Sequence, residues 1–361
     1  MSLYLIIFGI STFLFWIGSK QKSKWNLFAL LAIILPCYLA AQRGIGIGTD
    51  TETYYNLYEQ CSGPYEWEYL SLRFNVEPSY FLISKLSSYI TGFSSLSFIY
   101  QVITIGFIYL SAWEFRKYIN LWLVILMYFC FMYSASLNIV RQCAAVSILL
   151  YGSTFLVKSK IKLFWLFVLT GTFVHTSCAI ASCFIYAIYY ISFRLVRFKQ
   201  IGIGLYLIGL GILLIGFLKL ASLLGFLGFG RMAIYADVYA VSRSSYVSVT
   251  EITYRFFFAV MIWIGCNYGI ISNRIKLPYY LLFITEVSLM MLGMYNGYLV
   301  RLAAYMTVYQ LFLIPMLCKS PKYAKSSAPI ASAIIVITAL AYWWWTIVHN
   351  GTHEVIPYYF N

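Results

Sequence analysis

The chain has 361 residues, 62% hydrophobic and 10% charged, with a mean hydropathy of +0.81 and a formal net charge of +14. It lacks the polar surface a soluble globule must show to water, and its apolar stretches of about 20 residues lack the short-period alternation of a membrane β-barrel. A nucleic-acid partner is excluded too, because 16 of the 25 Lys and Arg fall in short loops between hydrophobic segments: Lys20–Lys24, Arg116–Lys117, Lys158–Lys162, Arg194–Lys199, Arg274–Lys276 and Lys319–Lys325. The positive-inside rule assigns these loops to the cytoplasm, so the charge reports topology. The expected fold class is all-α: one polytopic integral membrane helical bundle over residues 1–361, with about 12 transmembrane helices and two long outer loops carrying short helices.

Leu3 to Gly18 and Trp25 to Ala41 are the first two spans. The first has neither a basic n-region nor a small-residue cleavage site, which predicts a span with its N-terminus outside and not a signal peptide. The first long outer loop, about 43–78, follows. It holds Asp50, Glu52, Glu59, Glu66, Glu68 and Glu77, six of the 11 acidic residues. Arg43-Gly44-Ile45-Gly46-Ile47-Gly48 must turn, since alternating glycines suit positive φ or close backbone approach. Thr49-Asp50-Thr51-Glu52 predicts a capping box with Thr49 as the cap, leading into a short helix through Tyr54, Tyr55 and Tyr58. Pro78 fits the first position of another short helix, to about Thr91, with Glu77 at its lip.

Ser94 to Trp113, Leu121 to Leu137 and Asn138 to Val157 cross next. Leu163 to Val174 and Ala179 to Ile191 are short arms around a break at His175-Thr176-Ser177. Ile201 to Leu218 leads to the second long outer loop, about 219–253, with Arg231, Asp237, Arg243 and Glu251 among aromatics. Tyr254 to Ile271, Leu277 to Tyr295, Leu302 to Cys318 and Ala328 to Val348 complete the set, and the tail HNGTHEVIPYYFN ends outside. The sequence shows no internal repeat, no CxxC pair and no HxxH metal spacing.

Three arginines stand at outer helix ends, where cations are disfavoured. Arg43 follows a helix C-terminus, which suits the macrodipole. Arg141, with Asn138 as N-cap, and Arg301 open helices, where the dipole opposes a cation by roughly a few tenths of a kcal/mol. Such cations ask for an anionic partner: a phosphate gripped at two points by the guanidinium, or simply Asp50 or Glu77. His175 at the break is a hydrogen-bonded structural residue or a general base. Glu77 is a helix-start acid or a catalytic carboxylate. Asp50 and Glu52 form a DxE pair with a faint likeness to the metal-binding DxD of nucleotide-sugar enzymes, but capping explains Glu52. Glu286, inside a span, is a functional candidate, with pairing to a Tyr or Ser as the plain alternative.

The succession RGIGIGTDTETYY, EPSYFLISKL, LNIVRQCAAVSILLYG, FVHTSCAI, RLAAYM and a terminal IPYYF resembles the EpsG/Wzy-type polysaccharide (O-antigen) polymerases over nearly the whole length. The resemblance implies a glycosyltransferase of the bacterial inner membrane, working without cofactor or metal in polysaccharide or lipopolysaccharide biosynthesis. It would transfer a growing glycan from undecaprenyl pyrophosphate to the non-reducing end of a new undecaprenyl-pyrophosphate-linked repeat unit, at the periplasmic face. Its partners would be those lipid-linked repeat units and the bilayer, with room for a chain-length regulator protein. Asp50, Glu77, Arg141, Gln142, His175 and Arg301 occupy the family's motif positions. On this reading Asp50, Glu77 or His175 activates the acceptor, Arg43, Arg141 and Arg301 hold the pyrophosphate, and Gln142, Tyr54 and Arg231 support them. A lipid-linked oligosaccharide flippase or an O-antigen ligase would share the apolar bundle. The flippase should also show repeated halves and more buried charge than Glu286 alone.

Overall fold

The computed structural model describes residues 1–195, 249–267, 273–293, 297–318 and 328–360. Among these residues the regular structure is helical, with no strand beyond an isolated bridge between Arg43 and Phe360. Five helices are long and apolar enough to cross a bilayer: Phe93–Glu114, Leu121–Asn138, Val140–Val157, Leu299–Met316 and Pro329–His349. Five shorter apolar helices accompany them: Ser2–Gly18, Leu27–Ala41, Ile161–Val174, Ser177–Phe193 and Leu277–Leu292. The protein is a multi-pass helical membrane protein. The expected span at 201–218, most of the second outer loop and its Arg231 lie outside the described residues.

The chain divides into two compact units: Met1–Ser182 with Ile314–Asn361, and Cys183–Leu313. In the first, α1 (Ser2–Gly18) and α2 (Leu27–Ala41) are joined by a short basic loop fixed by Asn26. The Asn26 amide accepts from Ala29 N at 3.0 Å, the N-cap bond of α2, and donates back to Gly18 O at 3.3 Å. Three short helices follow α2: α3 (Thr51–Ser62), α4 (Trp67–Phe74) and α5 (Pro78–Ser88). Then come α6 (Phe93–Glu114), α7 (Leu121–Asn138), α8 (Val140–Val157), α9 (Ile161–Val174) and the start of α10 (Ser177–Leu195). Midway, α7 relaxes into a π-helical turn at Phe129–Tyr133. That turn stacks Phe129 on Phe8 at 4.7 Å and carries the Tyr133 hydroxyl to the carbonyl of Pro36, inside α2.

Two expected caps are corrected. The turn hydrogen bonds Ile47 N–Gly44 O and Thr51 N–Gly48 O run past Thr49, so α3 starts later, with Asp50 at the cap position and no side-chain cap bond. The Thr51 hydroxyl points backwards instead, donating to Ile47 O at 2.6 Å. Similarly Ile139, at φ −87°, ψ 56°, and not Asn138, precedes α8, because Asn138 is still the last residue of α7; its amide nitrogen donates to His353 O in the C-terminal tail at 3.0 Å.

In the second unit, α11 (Val249–Asn267), α12 (Asn273–Leu292) and α13 (Gly297–Thr307) bring a charged group into the interior. Glu286 on α12 is fully buried and accepts from Arg255 Nε at 2.6 Å, Gln310 Nε2 at 2.8 Å and Thr307 Oγ1 at 3.1 Å. Arg255 also pairs with Glu251 one turn away. The expected Tyr or Ser partner is thus an arginine: a carboxylate shut off from water needs an opposite charge as well as hydrogen bonds.

Candidate active site

The site grows from Pro78. With proline at the first helical position of α5, Glu77 takes an extended cap conformation at φ −72°, ψ 150°. Its carboxylate makes no cap bond, so both oxygens are left for other partners. Although only 3% exposed, it lies between a guanidinium and an imidazole from distant helices. One oxygen accepts from Arg141, at the start of α8, and the other meets His175 Nδ1 at 2.5 Å. His175 ends α9 in an extended conformation, φ −155°, ψ 122°, so the helix break predicted there turns the ring out of the helical path. A neutral His175 that donates from Nδ1 carries its lone pair on Nε2.

Arg141 is held from more than one direction. Its guanidinium lies 5.4 Å from the Tyr54 ring centroid and 5.3 Å from that of Tyr80, within cation–π range. It also reaches Asn75 O at 3.4 Å. The Tyr80 hydroxyl donates to Tyr54 O at 2.7 Å, which locks the two rings' helices together. Ser79 completes the frame, reaching Tyr100 at 3.3 Å and Val174 O, next to His175, at 3.5 Å. Arg141 and His175 keep 17% and 22% of their side-chain surface exposed, whereas Glu77 is closed off. The arrangement presents two partly open functional groups on one buried anion.

Burial pushes the Glu77 carboxyl up, but the His175 hydrogen bond and the Arg141 charge outweigh it and hold the group below its ordinary range. Burial likewise raises the Tyr54 phenol, against the pull of Arg141, and keeps it neutral.

The glycine turn is pinned by the C-terminal tail. Gly44 N donates to Tyr359 O at 3.0 Å, and Gly48 N to Glu354 O at 2.9 Å. The Tyr359 ring lies so close that a Cβ on Gly44 would sit 2.0 Å from its Cε2, and one on Gly46 2.3 Å from its hydroxyl. Gly48 has φ +98° and lies against Asn138, at the end of α7. Tyr358 donates to Leu39 O, and Tyr4 to Val355 O. Turn, α7–α8 junction and tail therefore form one knot next to the helices that carry Arg141 and Tyr54.

The remaining sequence candidates take varied places. Asp50 is half-buried at the start of α3, where its carbonyl accepts from Tyr54 N and its charge reaches Tyr54. Arg43 is buried and turned inward, donating to Ala40 O at 3.2 Å and Leu137 O at 2.9 Å, so it ties the end of α2 to the end of α7. Gln142 is buried beside Arg141. Arg301 is exposed on α13, in the second unit. Among the described residues no three of His, Cys, Asp or Glu gather around a common point where an ion could bind. Sequence reasoning missed Tyr80, Tyr100 and Ser79; their only signal was their place in the first turns after Pro78 and along the next span.

The EpsG family model matches residues 26–360 of the chain. No curated protein and no solved structure matches it.

Proposed function

The chain belongs to the EpsG family, whose members are Wzy-like polymerases, and from that premise we propose that Arg141, Glu77 and His175 are the centre at which a glycan is lengthened. The donor is a growing chain on undecaprenyl pyrophosphate, and the acceptor is the non-reducing end of a new lipid-linked repeat unit. The observation that carries this is the chain Arg141–Glu77–His175: a guanidinium and an imidazole, both partly exposed, oriented by one buried carboxylate.

In the reaction the acceptor oxygen bonds to the donor's anomeric carbon, and the bond from that carbon to the pyrophosphate oxygen breaks. The electron pair leaves on undecaprenyl pyrophosphate, and the acceptor proton passes to Nε2 of His175. Glu77, hydrogen-bonded to Nδ1, fixes the ring and stabilises the imidazolium that forms. Arg141 supplies positive charge where the leaving pyrophosphate gathers negative charge, and its aromatic cradle fixes that charge before the reaction starts. Both Glu77 oxygens are engaged, so Glu77 orients and His175 takes the proton. Arg43 acts from behind, by joining helix ends. Asp50 and Arg301 stay in the proposal as a second acid near Tyr54 and a second contact to the lipid-linked substrate. The centre faces the periplasm of a bacterial inner membrane; the positive-inside placement of the basic loops supports that orientation.

The test is purified protein given lipid-linked repeat units and nothing else. A glycan ladder is expected from the native protein, and only single units from His175→Ala and Arg141→Ala of equal yield. A full ladder from His175→Ala, or transport of labelled lipid across vesicles with no ladder at all, would overturn the proposal.

A further inference from the structure

At the far end of the first unit lies a cleft that the polymerase chemistry does not use. An apolar groove of about 640 Å³ runs along α1 and α7 to the last helix, Ala328–Trp343, between Phe13 and Leu340. Through Trp16 and Trp122 it continues into a polar mouth of about 330 Å³ bordered by Ser19, Arg116 and Asn120. α6 measures how far this is from the Glu77 centre. Phe93 at its start packs on Tyr55 of α3, with ring centroids 5.5 Å apart, and Glu114 ends the 22-residue helix about 32 Å away at 1.5 Å per residue. The mouth is therefore at the opposite membrane surface. From Leu5 to Trp16 the groove follows α1 for about 16 Å, the depth of one leaflet.

The mouth has the chemistry of an acidic headgroup site. The Lys20 ammonium sits 3.4 Å from the Trp16 ring centroid and the Arg116 guanidinium 4.5 Å from that of Trp113, an interfacial belt of tryptophan and cation. Lys22, Lys24 and Lys117 add charge nearby, and the acid on the same connection, Glu114, is paired with Lys158.

We propose that this cleft holds one acidic glycerophospholipid of the leaflet opposite the active centre. Its phosphate sits in the mouth on Arg116 and Asn120 with Lys20 beside it, and an acyl chain fills the groove. Charge complementarity selects an anionic over a zwitterionic lipid.

The experiment is native mass spectrometry of the purified full chain after exchange into micelles holding phosphatidylglycerol and phosphatidylcholine in equal amounts. One retained phosphatidylglycerol is expected, at about tenfold over phosphatidylcholine, a preference of about 1.4 kcal/mol. In Lys20→Gln/Arg116→Gln the preference should disappear. Gly9→Leu fills the groove from a position where a Cβ meets nothing within 4 Å, so it should lower retention of either lipid while helix content stays native. Equal retention of the two lipids by the native chain, or unchanged retention in Gly9→Leu, overturns the site. Neither readout depends on glycan synthesis, so this inference and the polymerase reading fail separately.

Discussion

The knot between glycine turn and tail makes a prediction sharp to a single atom. In Gly44→Ala the new methyl falls 2.0 Å from Cε2 and 2.4 Å from Cδ2 of Tyr359. Ordinary carbon contact begins near 3.5 Å, so the ring must retreat by about 1.5 Å. Retreat is opposed by the Gly44 N–Tyr359 O bond and the Arg43–Phe360 bridge, but the ring is 49% exposed and can partly swing into solvent. The cost belongs in the lower half of the overpacking range, about 1–2 kcal/mol. In Gly46→Ala the clash is different: the methyl meets the Tyr359 hydroxyl at 2.3 Å, while Cζ stays at 3.7 Å. Tyr359→Phe should therefore rescue Gly46→Ala but not Gly44→Ala, whose offending carbons phenylalanine keeps. Tyr359→Ala should rescue both. The assay is thermal unfolding of each single and double variant in one detergent, together with glycan ladder length. The coupling expected within each rescued pair is about 1 kcal/mol. If Gly44→Ala melts with the native protein, or Tyr359→Phe rescues both glycine variants equally, the packing argument is refuted.

Three other predictions concern charge. Arg141→Ala strands a nearly buried carboxylate and should cost about 3 kcal/mol, the low end for such a loss because Arg141 is partly exposed; Arg141→Lys should keep more stability than ladder formation, as seen by melting and gel. Glu77 titrates below the usual glutamate range of about 4.3, so its contribution is fully present above that value and is lost as pH falls through the lowered one. Melting should therefore hold steady down to about pH 5 and drop in stronger acid, and Glu77→Gln should lack that part of the drop. Arg255→Met leaves Glu286 uncompensated in the interior and should cost about 3–5 kcal/mol, most of it recovered in Arg255→Met/Glu286→Met; melting again decides.

Periodicity and composition alone determined that this is a helical protein of the membrane. A span of apolar residues must bury its backbone polar groups in its own hydrogen bonds, and only helices do so locally. The starts and stops written in local chemistry were equally legible: the glycine turn, proline opening α5, the break at His175. Two caps were misread because neighbouring structure claims those residues: the hydrogen bonds of the glycine turn run past Thr49, and α7 continues through Asn138. Which groups Glu77 meets could be seen only in three dimensions, since its partners lie 64 and 98 residues away and no local pattern encodes which helix ends meet. The same holds for Arg43, read as a cation at a helix C-terminus and a pyrophosphate contact, and found buried and tying two helices together. It holds also for Tyr80 and Tyr359, ordinary aromatics in the sequence whose meaning depends on the side chain or glycine packed against them. Local propensity is a property of a few consecutive residues; the pairing of charges and the closeness of a ring to a backbone are properties of the packed whole.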